Sequence, residues 1–180
     1  MKITMINGAP AGEWVAYEKA LERLKEKHDV DIFTVRDLNI QYCIGCFGCW
    51  VKTPGRCVHQ DDMDAILKSV VSADLQLFLS PAADGFITAD TKKVLDREIP
   101  LVLPYIRNFD GECHHPTRYG KQPDLGILLM DDGTLDDETK DITFSIFDRL
   151  AKNFHCRRMI KQAVTAETIA EVILNEARIG

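Results

Sequence analysis

Five apolar runs, each followed by apolar residues at helical spacing, constrain the fold of this chain more than any single residue does. The runs are residues 2 to 6 (KITMI), 29 to 35 (DVDIFTV), 75 to 79 (LQLFL), 125 to 130 (LGILLM) and a weaker one around Met159 to Val164. Between and after them, apolar residues recur every three or four positions: Val15, Ala16, Leu21 and Leu24; Met63, Ile66, Leu67 and Val70; the stretch TADTKKVLDREI from Thr88; Ile142, Ile146, Phe147 and Leu150; and Ile169, Val172, Ile173 and Ala177. Period-2 or continuous apolar runs read as strands and 3.6-period runs as helices. Strands that alternate with helices need crossover connections, so the sheet is parallel and covered on both faces. The expectation is a three-layer α/β fold with five strands. Asp61 and Asp62 read as caps of the second helix, and Thr88 or Asp90 as the cap of the third.

At 180 residues the chain has the length of one domain. Regular pattern fails from 100 to 123, where Gly111, His114, His115, Pro116 and Gly120 suggest an insertion or lid. We therefore expect one domain over 1 to 180, carrying a cysteine loop at 39 to 61 and this irregular insertion. A net charge of -6 and a pI near 5.4 exclude a sequence-independent grip on nucleic acid, which needs a basic face. The apolar stretch before Asn7 is too short for a signal-peptide core, and no run approaches the roughly 20 residues of a membrane span. A cytoplasmic protein without a membrane partner is expected, and cysteines there serve as ligands or free thiols more often than as disulfides.

Four of the six cysteines, Cys43, Cys46, Cys49 and Cys57, fall in the stretch NIQYCIGCFGCWVKTPGRCVHQDDM. Packing does not account for a thiol at every third residue. Gly45 and Gly48 between them permit tight or left-handed backbone, so several sulfurs can wrap one small centre. A CxxCxxC run with a later fourth cysteine suits a [4Fe-4S] cube, whereas structural zinc favours two separated pairs. Zinc, a Cys46–Cys49 redox pair and plain buried thiols stay open beside it. The spacing to Cys57 differs from the two-cluster ferredoxin run, whose fourth cysteine follows after three residues and precedes proline.

In an open parallel sheet, ligands bind beyond the carboxyl ends of the strands, where strand order reverses. Three turns follow strands there: Asn7 to Trp14, Pro81 to Phe86, and Asp131 to Thr134. The cysteine loop follows the second strand and opens on the same edge, which makes cluster and ligand neighbours. The first turn, NGAPAGEW, leads into a helix start, whose N–H groups and dipole favour phosphate. Neither a Walker pattern nor GxGxxG occurs, which argues against nucleoside triphosphates and a conventionally gripped dinucleotide.

Taken in order, KITMINGAP, the CxxCxxC run, Cys57 with Asp61-Asp62-Met63, a strand ending Ser80-Pro81, and KVLDR at Lys93 to Arg97 resemble the iron-sulfur flavoproteins within the NADPH-dependent FMN reductase group of flavodoxin-like folds. The resemblance covers roughly the first hundred residues. It implies a doubly wound sheet of order 2-1-3-4-5, FMN at the strand ends and a [4Fe-4S] cluster on Cys43, Cys46, Cys49 and Cys57. By motif, Pro10, Ala11, Gly12, Glu13 and Trp14 would hold the FMN phosphate, and Pro81, Ala82, Ala83, Asp84, Gly85 and Phe86 would pass along the isoalloxazine ring. It also implies homodimers or homotetramers, with NAD(P)H or a donor or acceptor protein as electron partner. Where relatives carry hydroxyls and often arginine in the phosphate turn, this chain has Ala9, Ala11, Gly12, Glu13 and Trp14; where they carry SPxY, it has Ala82, Ala83 and Asp84 after Pro81.

The expected function is electron transfer through FMN and the cluster, with no catalytic side chain assigned. A second expectation is a flavodoxin-like protein that has lost FMN and keeps a cysteine-bound metal as staple or sensor. A third is a thiol or zinc enzyme using His59, His114, His115 or Cys113, although a histidine pair in a polar loop is more often solvated. Cys156 reads as a buried thiol, and Trp14 and Trp50 as packing or interface anchors.

Overall fold

In the computed structural model, which describes residues 1–12, 15–131 and 133–176, the five apolar runs do form one parallel sheet. Its strands are β1 (Lys2–Asn7), β2 (Asp29–Thr34), β3 (Leu75–Ala83), β7 (Asp124–Met130) and β8 (Met159–Val164). They lie in the order β2-β1-β3-β7-β8, which is 2-1-3-4-5 counted along the chain. This is the flavodoxin-like doubly wound arrangement, and its strand order reverses between β1 and β3. The register is continuous: Ile3 to Asn7 of β1 pair with Leu75 to Leu79 of β3, and Leu75 to Pro81 of β3 pair with Asp124 to Met130 of β7.

The helices that cover the sheet are α1 (Val15–Lys25), α3 (Met63–Ser72), α4 (Ala89–Asp96), α5 (Asp137–Asn153) and, after the last strand, α6 (Ile169–Glu176); a single-turn helix, α2 (Gly48–Val51), lies inside the cysteine loop. Right-handed crossovers put α1 and α6 on one face and α3, α4 and α5 on the other. Two cores result. Ile3, Met5, Leu77, Leu79 and Ile160 pack with Leu21, Leu24 and Ile173 on the first face. Ile6, Phe78, Ile127 and Leu129 pack with Ile66, Val70, Val94 and Phe147 on the second. The central strands are buried on both faces, as near-continuous apolar runs require. Phe78 and Phe147 meet edge to face with centroids 5.5 Å apart.

Three expectations change. Ser80-Pro81 does not end the third strand: β3 continues to Ala83 and turns back at Asp84 (φ 50°) and Gly85 (φ 79°) into β4 (Phe86–Ile87). An Asp-Gly pair with both φ positive is the two-residue turn whose twist matches a hairpin. A second such pair, Asp110-Gly111, closes β5 (Arg107–Phe109) on β6 (Glu112–His114), so the segment read as irregular holds a small hairpin. Asp62 does occupy the N-cap position of α3, but its side chain makes no cap bond. The caps at Thr88, accepting from Thr91 N, and at Asp136, accepting from Thr139 N, follow the usual rule. Ala177 and Arg178, expected on the last helix, lie outside the described residues.

Candidate flavin edge and cysteine loop

The turn after β1 is built on Asn7. Its buried side chain accepts from Ala9 N at 3.0 Å and its amide faces Thr34 Oγ1 of the neighbouring β2 at 3.3 Å. Gly8 N donates to Leu79 O at 2.8 Å, and the Thr88 hydroxyl donates to Gly8 O at 3.2 Å. A Cβ on Gly8 would lie 1.8 Å from the hydroxyl of Thr91, itself fully buried. Only glycine lets this turn lie on the start of α4. Pro10, Ala11 and Gly12 then stand exposed, Gly12 at φ +94° with open space where a Cβ would be. Glu13 and Trp14 lie outside the described residues.

The second segment, Pro81 to Phe86, stands beside the first. Ser80 Oγ accepts from Thr88 N at 3.1 Å, so the same threonine fastens the β3–β4 hairpin and the Gly8 carbonyl. Ala83, Asp84 and Gly85 are exposed at the hairpin tip. In the third turn, Asp131 accepts from Gly133 N and Leu135 N and pairs with Lys140 at 3.0 Å. Asp132 lies outside the described residues.

One residue at this edge went unread in the sequence. Arg36, in the 3-10 turn Val35–Asp37 that follows β2, donates from Nη1 to Ala9 O at 2.9 Å and reaches Pro10 O at 3.4 Å. The turn after β1 lacks an arginine of its own, and a guanidinium from the next strand's turn stands against it. The signal was weak because adjacency of β1 and β2 is tertiary information.

The cysteine loop is fastened at both ends. Asn39 N donates to Asp62 Oδ2 at 2.7 Å, Gln41 N donates to Asp61 Oδ2 at 2.9 Å, and Asp62 N returns to Asn39 O at 3.1 Å. Arg97, just beyond α4, grips Asp61 through Nη1 and Nη2 at 2.9 and 3.0 Å and also donates to Gln41 O. Both side chains are almost fully buried. Burial alone would raise Asp61, but the hydrogen bonds from Arg97 and from the backbone outweigh it and hold the carboxylate below its ordinary range. Deleting one partner of such a pair leaves a buried charge and costs about 3–5 kcal/mol. Asp62 is thus a clamp on the loop rather than a helix cap, whereas Asp61 does both: its Oδ1 accepts from Met63 N at the start of α3 at 3.2 Å while its oxygens also take Gln41 N and Arg97.

Between the clamps the backbone takes left-handed φ at Gly45 (+64°) and, unexpectedly, at Phe47 (+54°). Gly48 instead starts α2, and its lack of a side chain admits Val58, whose Cγ1 would sit 2.4 Å from an added Cβ. Gly48 N points at Cys46 Sγ at 3.5 Å. All six cysteines are free. Desolvation raises the Cys49 thiol first, then the charge of Cys57 and, more weakly, of Cys43 and Cys46. The four sulfurs therefore share one neighbourhood, although among the described residues no three His, Cys, Asp or Glu side chains close to the spacing of a single ion. Four thiols in one loop are the donor type that either an iron-sulfur cluster or zinc takes.

The loop does not stay at the strand edge. Tyr42 lies under Lys93 of α4, 5.6 Å from nitrogen to ring centroid. Trp50 donates to Val102 O at 3.0 Å and packs on the His115 ring at 5.0 Å. The loop thus runs along the α3–α4 face toward the insertion. His114, expected to be solvated, is 5% exposed, with its ring nitrogens against Asn153 at 2.7 Å and Glu112 at 2.9 Å. Hydrogen bonds from Lys152, His114 and Arg149 bring Glu112 down to about 2. Cys156 is a half-buried thiol that desolvation pushes up to about 12.

Doubly wound order and a glycine turn at the switch point define a flavodoxin-like fold, here carrying a clamped cysteine loop. The sequence pattern of the NADPH-dependent FMN reductase family matches residues 1–103, and the chain belongs to that family. An iron-sulfur flavoprotein of Methanocaldococcus jannaschii is 35% identical over 100 residues, covering 54% of this chain and 50% of that protein. An iron-sulfur flavoprotein of Archaeoglobus fulgidus is 33% identical over 125 residues, covering 67% of this chain and 51% of that protein. The chain thus spans about half the length of the curated relatives it matches. Among solved structures, a putative quinone reductase from Klebsiella pneumoniae superposes with a TM-score of 0.65 at 15% identity, covering 99% of this chain and 81% of that one. An FMN-dependent NADH-azoreductase from Bacillus anthracis in complex with FMN gives 0.59 at 15% identity, covering 99% and 94%. At such identities these likenesses speak for the fold.

Proposed function

We propose that this chain is a flavoprotein oxidoreductase that binds FMN at the β1 and β3 turns, holds a [4Fe-4S] cluster on Cys43, Cys46, Cys49 and Cys57, and takes its electrons from NAD(P)H or an electron-carrier protein. The observation that carries the reading is the shared fastening of the two turns. Thr88 ties the Gly8 carbonyl and the Ser80 hydroxyl together, so a phosphate turn and an exposed hairpin tip stand side by side at the switch point. The donor set suits a flavin phosphate: open backbone at Pro10 to Gly12 and a guanidinium from Arg36 behind it. Pro81 to Phe86 would border the ring.

When bound, FMN supplies two-electron chemistry and an iron-sulfur centre one-electron chemistry. This chain's residues orient and shield rather than exchange protons. Arg36 balances charge at the turn, Asp61 and Arg97 hold the loop, and Trp50 seats it on the insertion. We further propose that residues 1–180 form one domain and that the protein works as a homo-oligomer in the cytoplasm. Among the described residues no helix is long and apolar enough to cross a membrane.

Anaerobic purification with flavin, iron and sulfide assays tests the reading. Flavin near one per chain and about four iron per chain support it. Iron without flavin, even on addition of FMN, overturns the flavin half and leaves the loop as a staple or sensor. Flavin without iron or sulfide after reconstitution overturns the cluster half.

A further inference from the structure

The carboxyl ends of α4 and α5 do not close on each other. Between them, and against the insertion, lies a cleft of about 420 Å³ walled by Leu95, Ile99, Val102, Leu150 and Phe154. Its volume falls in the range of small-molecule sites, about 300–1,000 Å³, and a mostly apolar lining is what such sites share. A larger cleft of about 680 Å³ beside Asp74, Lys121, Asp124 and Arg157 has charged walls and no comparable apolar floor. The smaller one stands apart from the flavin edge. α4 begins at Thr88, which ties the β1 and β3 turns together, and ends at the cleft with Asp96; α5 runs for 17 residues, about 25 Å, before ending there with Asn153.

The polar groups around this cleft select its occupant. Neither lysine nor arginine lines it, and Asp96 is already paired with Lys92, so an anion finds no counter-charge. His115 Nδ1 lies 2.9 Å from Tyr105 O, and a carbonyl only accepts. Nδ1 therefore carries the proton, and Nε2 of the neutral ring keeps a lone pair to which nothing among the described residues donates. One end of the Asn153 amide is held by His114 at 2.7 Å, which leaves the other for a ligand. A hydroxyl, donor and acceptor at once, satisfies both groups. The cleft also reaches the cysteine loop, because Trp50 donates to Val102 O at 3.0 Å and packs on the His115 ring at 5.0 Å. Two of its walls are the seat of that loop.

We propose that this cleft is a binding site, separate from the flavin edge, for a small neutral aromatic alcohol. The ring lies among Leu95, Ile99, Leu150 and Phe154, and the hydroxyl donates to His115 Nε2. Because the occupant braces Val102 and His115, it steadies the cysteine loop through Trp50. The site needs neither flavin nor metal.

The test titrates 2-naphthol, naphthalene and 2-naphthoate calorimetrically into the full-length chain with FMN in excess. 2-Naphthol is expected to bind about fivefold more tightly than naphthalene, the contribution of one neutral hydrogen bond. 2-Naphthoate is expected to bind about tenfold more weakly than 2-naphthol, because its charge would be stranded. His115→Phe, which keeps a ring against Trp50, should erase the preference for naphthol over naphthalene. Leu150→Trp, which fills the cleft, should abolish binding of both, with its fold checked by circular dichroism. Cys113, an exposed thiol at the cleft, gives a readout on the wild type alone: 2-naphthol should slow its alkylation by iodoacetamide severalfold, and 2-naphthoate should not. Absence of binding, binding that persists in folded Leu150→Trp, or an unprotected Cys113 at saturation overturns the site. Binding seen only without FMN also overturns it, since the ring then lies at the flavin edge, and 2-naphthoate binding as tightly as 2-naphthol overturns the choice of a neutral ligand. Amide exchange across residues 48–56 judges the link to the loop: slowing by 2-naphthol in the wild type but not in Leu150→Trp supports it, and unchanged exchange in the wild type overturns it.

Discussion

Gly8 shows how much of the candidate flavin edge depends on single atoms. Its missing Cβ is the space filled by the Thr91 hydroxyl, and Thr91 cannot swing away because it is fully buried and capped against Thr88. Gly8→Ala is therefore expected to push the turn off α4 and weaken FMN binding at least tenfold by fluorescence titration, with little change in far-UV signal. Arg36 makes a separate prediction. If its guanidinium balances the flavin phosphate, Arg36→Met lowers affinity for FMN roughly tenfold, about 1.4 kcal/mol, and leaves riboflavin, which lacks the phosphate, unchanged. Equal losses for both ligands would assign Arg36 to loop structure alone. A third residue reports through pH. Burial lifts the Glu98 carboxyl to about 8, against a partly offsetting hydrogen bond from Gln76. The folded chain thus holds a proton that the unfolded chain releases near 4.5. Stability from this group is full below about pH 4.5 and falls as pH rises to about 8. Glu98→Gln should flatten that slope and raise stability near pH 7 by roughly 3 kcal/mol, read from urea midpoints across pH.

Among the elements, the sheet strands and the helices crossing between them were legible in the sequence because each obeys one period and carries its own end signals. Thr88 caps α4 as its hydroxyl predicts, and β3 and β7 show the double-sided burial their apolar runs imply. The hairpins at Asp84-Gly85 and Asp110-Gly111 were written in plain turn chemistry but passed over, the first because Pro81 suggested a strand end. The clamps could not be read locally. Asp61 and Asp62 precede a helix and look like caps, and Asp61 does accept from Met63 N, but the approach of Asn39, Gln41 and Arg97 from other parts of the chain claims their oxygens as well. The cysteines were legible as a set, whereas their route along the α3–α4 face was not, since it is set by Trp50 finding Val102 O. Trp50→Phe keeps an aromatic against His115 and removes that hydrogen bond; it is expected to speed amide exchange in residues 48–56 severalfold while leaving the sheet protected.

On the scale of the whole molecule, the family pattern ends at residue 103, yet the seat of the cysteine loop does not. The ring under Trp50 belongs to His115, and the side chains of Arg118 and Tyr119 lie within 3.2 Å of where Gly55 would carry a Cβ. The segment that the shared pattern leaves unspecified is thus the floor on which the shared loop rests. A chimaera joining residues 1–103 to a relative's second half would inherit the four thiols of the loop and lose the surface that supports them. Insertions and replacements downstream of residue 103 can then alter the surroundings of Cys43, Cys46, Cys49 and Cys57 with none of these cysteines changed and the turns after β1 and β3 left as they are.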